Sequence, residues 1–207
     1  MINKASRPDE ISQILLKETR TTICKPFTML FNKSLQENTY PSVWKQASVM
    51  PLFKKGDKST PSNYRPVSLI SCVGKVIKRV VFKYIYNFIH DNRLIYKRQS
   101  RFIPNDSTVY QLIDIFYQIC KAFDDKQSTC IVFLWHKHGL DRVWHKENLL
   151  FKLRQCGITG QVNSWLSSYL NNRKQKVFVG SEFSQERPIN ADVSQGSVLG
   201  PLLFWYT

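Results

Sequence analysis

The sequence has few acidic residues, few glycines and no long apolar run. It contains 15 Asp and Glu against 30 Lys and Arg, a formal net charge of +15 at pH 7. Eight Gly and nine Pro in 207 residues exclude a collagen-like repeat and a low-complexity linker. The longest apolar stretch, Leu199 to Tyr206, contains a proline and is far shorter than the roughly 20 residues of a membrane-spanning helix. Because the N-terminus also lacks an apolar signal segment, we expect an intracellular protein without membrane spans.

The number and spacing of the cysteines also do not predict that they form pairs. The five cysteines are odd in number, and no two have the spacing of a zinc knuckle or a redox pair. In a chain without a signal segment this pattern predicts reduced, mostly buried thiols.

The positive charge is concentrated in one part of the chain. Residues 45–101 contain thirteen Lys and Arg but only two acids, Asp57 and Asp91. Such an excess favours an anionic partner, above all nucleic acid bound through its phosphates. Binding of the basic helix at Val73 to Asn92 to a membrane surface is disfavoured, since its apolar face is wide enough to be core.

Apolar periodicity predicts an α+β protein. At 43% hydrophobic residues the chain is long enough to bury a core. Helical spacing predicts helices over Lys25 to Glu37, Val73 to Asn92, Ser107 to Asp125, Lys146 to Gln155 and Gln161 to Leu170, with another beginning near Pro8-Asp9. Strands are predicted at Ala47 to Phe53, at Gln175 to Val179 and, as a strand buried on both faces, at Cys130 to Trp135.

Five short motifs carry a family resemblance. They are Pro41-Ser-Val-Trp44-Lys, Phe53-Lys-Lys-Gly-Asp57, Asn63-Tyr-Arg-Pro66, Asp141-Arg-Val-Trp-His145 and Gln195-Gly-Ser-Val-Leu-Gly-Pro-Leu-Leu-Phe204. In this order they resemble the reverse transcriptase of non-LTR, jockey-like retrotransposons. The resemblance implies a right-hand polymerase fold that copies RNA into DNA from deoxynucleoside triphosphates. It divides the chain into an N-terminal helical extension (1–40), a fingers-like region (41–126) and a partial palm (127–207), without a thumb.

The resemblance also implies a nucleotide-binding site. Lys54, Lys55 and Arg65 are fixed cations after a strand, which suits the triphosphate of an incoming nucleotide. Arg65 is the strongest candidate, because Pro66 stiffens its backbone and a guanidinium binds phosphate with two hydrogen bonds. The alternative that the two lysines are solvated loop charges stays open. Gln195 and Gly196 correspond to the strip that lies against the template base and the new base pair.

A template groove is predicted on the basic segment. The expected partners are an RNA template and an RNA–DNA duplex, bound mainly through phosphates. The residues expected to contact them are Lys54, Lys75, Lys78 and Arg79.

The catalytic metal site of the family is not matched. Polymerisation uses two Mg²⁺ ions held by carboxylates. Trp135 occupies the place of the first metal-binding Asp, and a tryptophan has no oxygen to offer a metal. Asp141 matches the second acid of that motif, which is not the main ligand. The Ala-Asp-Asp motif is expected beyond Phe204, but the sequence stops at Thr207. The sequence therefore predicts a chain that neither binds Mg²⁺ nor polymerises.

Two other interpretations compete with an inactive reverse transcriptase fragment. The first is a non-catalytic nucleic-acid-binding module that uses the same basic surface. The second is a zinc site at His136, His138 and His145, which is disfavoured because no further ligand is evident. Mismatches such as Arg101 and Asp192, where the family has Gly, are typical of a decayed element copy.

Overall fold

The computed structural model describes residues 8–97, 99–100, 103–104, 106–134, 146–189 and 198–204. Its helices are α1 (Gln13–Glu18), α2 (Arg20–Gln36), α3 (Cys72–Asp91), α4 (Thr108–Asp124), α5 (Lys146–Gln155), α6 (Gly160–Leu170) and α7 (Gly200–Phe204). Its strands are β1 (Gln46–Phe53), β2 (Tyr64–Ile70), β3 (Lys174–Val179), β4 (Glu182–Phe183) and β5 (Arg187–Pro188). This mixture of helices and strands agrees with the predicted α+β class.

The chain divides into two compact units. Unit 1 comprises residues 1–86 and 140–207, and unit 2 comprises residues 87–139. The sheet belongs entirely to unit 1, whereas α4 belongs to unit 2. No helix in the described ranges is long and apolar enough to cross a membrane.

The sheet of unit 1 is mixed, with the strand order β2-β1-β3-β4 and with β5 also paired to β3. β1 runs antiparallel to β2, from Ala47 opposite Ile70 to Phe53 opposite Tyr64. β1 runs parallel to β3, and this pairing ends at Val49. The two prolines Pro51 and Pro66 stand opposite each other beyond that point. A strand tolerates a proline where its missing N–H has no ladder partner, so β1 carries Pro51 past the end of its pairing with β3.

Helix α3 buries a narrower face than its sequence predicts. Ile77, Val81 and Ile85 are buried, in a row that advances one turn at a time. The neighbouring row was also expected in the core, but it is exposed: Val76, Val80, Tyr84 and Phe88. The prediction of the helix is confirmed, but the prediction of its core face is wrong for that row. The apolar stripe of α3 spans two rows, and the rest of the described protein covers only one.

An aromatic cluster forms the core beside the sheet. The Tyr40 ring meets the Trp165 ring edge-on at 5.3 Å and the Tyr169 ring at 5.1 Å between centroids. The indole N–H of Trp165 donates to Ser34 Oγ at 3.0 Å, which satisfies the polar atom of this fully buried side chain. A Cβ at Gly74 would lie 2.6 Å from the Tyr40 hydroxyl oxygen, so α3 approaches the cluster this closely only because residue 74 is a glycine.

The predicted strand from Cys130 to Trp135 is wrong in its described part. Residues 130–134 have no regular secondary structure. Their side chains are exposed, up to 86% for Leu134. A strand buried on both faces needs hydrogen-bonded neighbours, and none of the described strands pairs with this run. An apolar run shows that a segment favours burial, but it does not show that a pairing strand exists. Trp135 itself lies outside the described residues.

The cysteine prediction is correct in one part only. All five cysteines are free thiols, but Cys72 alone is buried. Cys24 and Cys130 are exposed, and the others are intermediate.

Candidate nucleotide and nucleic-acid binding site

The loop between β1 and β2 is held by its own polar groups. The Ser59 backbone N–H donates to Asp57 Oδ1 at 2.9 Å, and the Asn63 side-chain amide donates to the Asp57 carbonyl at 2.8 Å. The hydrogen bonds from Ser59 lower the pKa of the Asp57 carboxyl. Gly56 has a φ of 93°, and a Cβ there would meet the Asn63 amide at 2.7 Å. The sequence Lys-Lys-Gly-Asp-Lys therefore folds into an ordered turn and not a loose loop.

An aromatic pair braces the strand ends below this loop. The Phe53 and Tyr64 rings lie 5.4 Å apart, edge to face, on paired residues of β1 and β2. The Tyr64 hydroxyl donates to the Lys58 carbonyl at 2.8 Å, and Lys58 Nζ lies 5.9 Å from the centre of the Phe53 ring. Lys58 was not among the sequence-predicted site residues. The aromatic residues that bracket the basic turn are the signal that could have indicated it.

Three predicted site residues lie at this end of the hairpin. Lys54 and Lys55 begin the loop, and Arg65 is the second residue of β2, opposite Leu52. All three side chains are exposed. None of them forms an ion pair with another described residue. We call Lys54, Lys55 and Arg65 the hairpin cations.

Two of the three predicted template contacts on α3 lie where phosphate can reach them. Arg79 is exposed and Lys75 is half-buried. Lys83, one turn further along, extends this basic row and is also exposed. The 20-residue helix contains no acid before its last residue, Asp91.

Lys78 is a correction. Its side chain is 2% exposed, and its ammonium lies 5.8 Å from the centre of the Tyr169 ring. Burial lowers its pKa. Residue 78 lies one turn after Gly74 and next to Ile77, so it falls on the core side of α3. The prediction that Lys78 contacts phosphate on an open surface is therefore wrong.

A second buried cation was missed by sequence reasoning. Arg173 is 6% exposed, and its guanidinium carbon lies 5.3 Å from the centre of the Tyr169 ring. The Tyr169 ring thus has two cations near it, which is favourable for each of them. Arg173 lies in no recognised motif, and the Tyr169 ring that it contacts lies four residues earlier, near the end of α6.

Comparison with known proteins places this chain in a family. Residues 53–207 match the family "Reverse transcriptase (RNA-dependent DNA polymerase)". The chain belongs to this family. The resemblance identified from the five sequence motifs is thereby confirmed.

Reverse transcriptases of Drosophila transposons are among its relatives. The probable RNA-directed DNA polymerase from transposon BS of Drosophila melanogaster is 31% identical over 204 residues, which are 98% of this chain and 22% of that protein. The corresponding protein of the X-element is 32% identical over 203 residues, 98% of this chain and 22% of its own length. The RNA-directed DNA polymerase of the jockey element is 32% identical over 85% of this chain and 19% of its own length. The chain thus spans about a fifth of the length of these relatives.

The remaining predicted site residues lie outside the described ranges. Trp135, Asp141 and the three histidines of the zinc hypothesis fall within residues 135–145, and Gln195 and Gly196 fall within residues 190–197. Within the described ranges, no three His, Cys, Asp or Glu side chains come together as a metal site would require.

Proposed function

We propose that this reverse transcriptase chain binds the triphosphate of a deoxynucleotide at the hairpin cations. The supporting observation is that Lys54, Lys55 and Arg65 lie exposed at one end of an ordered hairpin, without a carboxylate partner among the described residues. Triphosphate oxygens would replace the water around these groups. The Arg65 guanidinium would hold two oxygens at once, and the ladder of β1 and β2 fixes its backbone.

The template and the RNA–DNA duplex are proposed to lie along the basic row of α3. Lys75 and Arg79 would neutralise phosphates, and the exposed Lys83 extends the same row. The backbone at Gly196 and the amide of Gln195 are proposed to contact the new base pair, on the strength of the family resemblance. Residues 41–126 would then be the fingers and residues 127–207 part of the palm, preceded by the helical extension 1–40.

DNA synthesis is not part of the proposed function of this chain. The relatives are named RNA-directed DNA polymerases. Mg²⁺ in that reaction lowers the pKa of the primer hydroxyl and neutralises the leaving pyrophosphate. Trp135 stands at the place of the first carboxylate ligand and offers no oxygen, so we propose that the chain binds nucleotide and nucleic acid without joining them.

A fluorescent deoxynucleoside triphosphate, titrated without metal, tests the nucleotide site. We expect Arg65→Ala to weaken binding about 10- to 100-fold, which is the loss in affinity that the removal of charged hydrogen bonds typically produces. Arg65→Lys should retain part of the affinity, since it keeps the charge but loses the paired donors. Lys17→Ala on α1 is the matched control, because it removes an exposed positive charge far along the chain from the hairpin. Equal losses in the Arg65→Ala and Lys17→Ala variants would contradict the proposal.

Primer extension and duplex binding distinguish the proposal from its alternatives. Binding to a primed RNA template should weaken as salt rises, by about 0.9 in log affinity per log unit of salt for each phosphate contacted on a duplex. Template-dependent incorporation of labelled deoxynucleotide would contradict the absence of synthesis. The alternative, a module that binds only nucleic acid, predicts salt-sensitive duplex binding without measurable triphosphate binding.

A further inference from the structure

Asn63 ties together the two ends of the loop that carries the hairpin lysines. Its backbone carbonyl accepts the Lys54 backbone N–H at 2.9 Å, and its backbone N–H donates to the Thr60 carbonyl at 3.0 Å. Its side-chain amide donates to the Asp57 carbonyl at 2.8 Å. This one half-buried residue thus makes hydrogen bonds to three separate points of the loop.

These hydrogen bonds hold the backbone of the two loop lysines on both sides. The bond at Lys54 holds the beginning of the loop and the bond at Asp57 holds its middle, so Lys55 lies between two fixed points. Arg65 follows Asn63 by two residues and is held in the ladder of β1 and β2. Asn63 therefore connects the backbone of the two lysines with the strand that carries the arginine.

Gly56 leaves the space that the Asn63 amide occupies. A Cβ at residue 56 would lie 2.7 Å from the amide nitrogen and 3.1 Å from the carbon that bears it. The φ of 93° at Gly56 lies in the left-handed region, which a glycine adopts without strain. The conformation of residue 56 and its missing side chain thus both accommodate the amide, and the amide is closely fitted into the loop.

We propose that Asn63 is a positioning residue for the triphosphate and that it acts through Lys54 and Lys55. This inference rests on the proposed binding of triphosphate at the hairpin cations. Cations that are already held in place bind a polyphosphate more tightly, because the loop does not have to be ordered at the expense of the binding free energy. Asn63 holds the loop and does not itself bind phosphate. Without its amide, the two lysines keep their charge but lose their fixed place beside Arg65.

Titration of the full 207-residue chain with a fluorescent deoxynucleoside triphosphate, without metal, tests the assignment. Asn63→Ala should weaken binding about 3- to 10-fold, which is the loss in affinity that corresponds to one hydrogen bond. Gly56→Ala displaces the same amide by a different route and should also weaken binding. Ser62→Ala, at the exposed side chain next to Asn63, is the matched control and should bind as the unaltered chain does.

A variant without the two loop lysines separates positioning from a general loosening of the hairpin. In Lys54→Ala/Lys55→Ala, the further change Asn63→Ala should cost no more affinity, because the residues through which Asn63 acts are gone. A general loosening would displace Arg65 as well, and the loss caused by Asn63→Ala would then persist without the lysines.

Three results would overturn the assignment of Asn63. They are an unchanged affinity in Asn63→Ala, an equal loss with and without the two lysines, and a Lys54→Ala/Lys55→Ala variant that binds as tightly as the unaltered chain. Each of them leaves the loss in Arg65→Ala, and hence the proposed nucleotide site, in place. An unaltered chain that binds no triphosphate would instead overturn the proposed function, and this assignment with it.

Discussion

The cluster around Tyr40 and the helix α4 use similar side chains to opposite effect. In unit 1, Tyr40, Trp165 and Tyr169 are at most 2% exposed, and two sequence-distant segments supply them, the stretch at Tyr40 and the helix α6. In unit 2, α4 has the same wealth of aromatic and aliphatic residues, and none of them is buried. Apolar content therefore does not separate core from surface in this chain. The difference is that α2 and α3 bring close contacts to the first group, through Ser34 and Gly74, whereas the described part of unit 2 buries no residue of α4.

The largest effect should come from truncating the buried cluster and comparing it with an exposed ring. We expect Trp165→Ala to lower the free energy of unfolding by about 3–5 kcal/mol, through lost burial and the cavity left behind. Phe133→Ala, at a ring that is 81% exposed, should change it by less than about 0.5 kcal/mol. Urea denaturation measures both. Similar losses in the free energy of unfolding for the two variants would show that the buried cluster and the exposed ring do not differ in their contribution to stability.

A substitution at Gly74 tests how closely the aromatic cluster around Tyr40 is packed. Gly74→Ala should cost about 1–3 kcal/mol, because its Cβ would lie 2.6 Å from the Tyr40 hydroxyl oxygen. That hydroxyl has no hydrogen-bond partner among the described residues, so Tyr40→Phe should be close to neutral. The double variant should recover part of the loss, and a double-mutant cycle by urea denaturation measures the coupling. Strictly additive losses would show that the hydroxyl is not the obstacle.

The pH dependence of the free energy of unfolding tests the effect of the buried cation Lys78. Its folded pKa is lowered, so the folded protein binds fewer protons than the unfolded chain and Lys78 makes stability rise with pH up to about 10.5. The pKa of Tyr40 is raised by burial, so its contribution is present below pH 10 and is lost above it. Lys78→Met should stabilise the protein at pH 7 by about 1 kcal/mol or more, since it removes a buried charge and keeps the volume.

Lys78→Met should also remove the rise of stability that precedes the alkaline loss. Urea midpoints recorded from pH 7 to alkaline pH measure this profile. Lys83→Met, at an exposed lysine one turn and a half further along α3, is the control and should leave the profile unchanged. An unaltered profile in Lys78→Met would show that the ammonium reaches water.

The smallest effect should come from the cap of α4. Ser107→Ala should cost about 1 kcal/mol of local stability, because the backbone N–H of Tyr110 loses its acceptor. Hydrogen exchange at the first turn of α4 measures the loss. Thr108→Ala, one residue further on, leaves the cap in place and should have little effect. Faster exchange throughout unit 1 as well would indicate that the two units do not unfold independently.

Features that depend on neighbouring residues could be predicted from this sequence, whereas features that depend on contacts between distant residues could not. The helices α3 and α4 follow from the spacing of neighbouring residues, and both lie where the sequence predicts them. The cap of α4 and the turn at Gly56-Asp57 are also formed by neighbouring residues. Burial depends on partners elsewhere in the chain. Lys78 on α3 is buried near the ring of Tyr169, which lies on the distant helix α6. The absence of a strand at residues 130–134 depends on pairing that no local pattern encodes.

The hairpin cations, like the helices, could be predicted because the residues involved are close together in the sequence. Lys54 and Arg65 lie 11 positions apart, within one hairpin, and a single turn brings their ends of the strands together. Gln195 and Gly196 are distant in sequence, and only the resemblance to other reverse transcriptases connects them with the hairpin. Their place at the site stays a prediction.

The facing prolines of β1 and β2 limit how copies of this sheet can join. Neither Pro51 nor Pro66 has an N–H to exchange across the pair, so each is accommodated where that position of the backbone points away from the other strand. β2 is the outermost of the described strands on its side, and the gap left by Pro66 therefore lies on the edge that faces away from β1. A strand added to that edge would find no donor midway along, which guards this sheet against growth into a fibril.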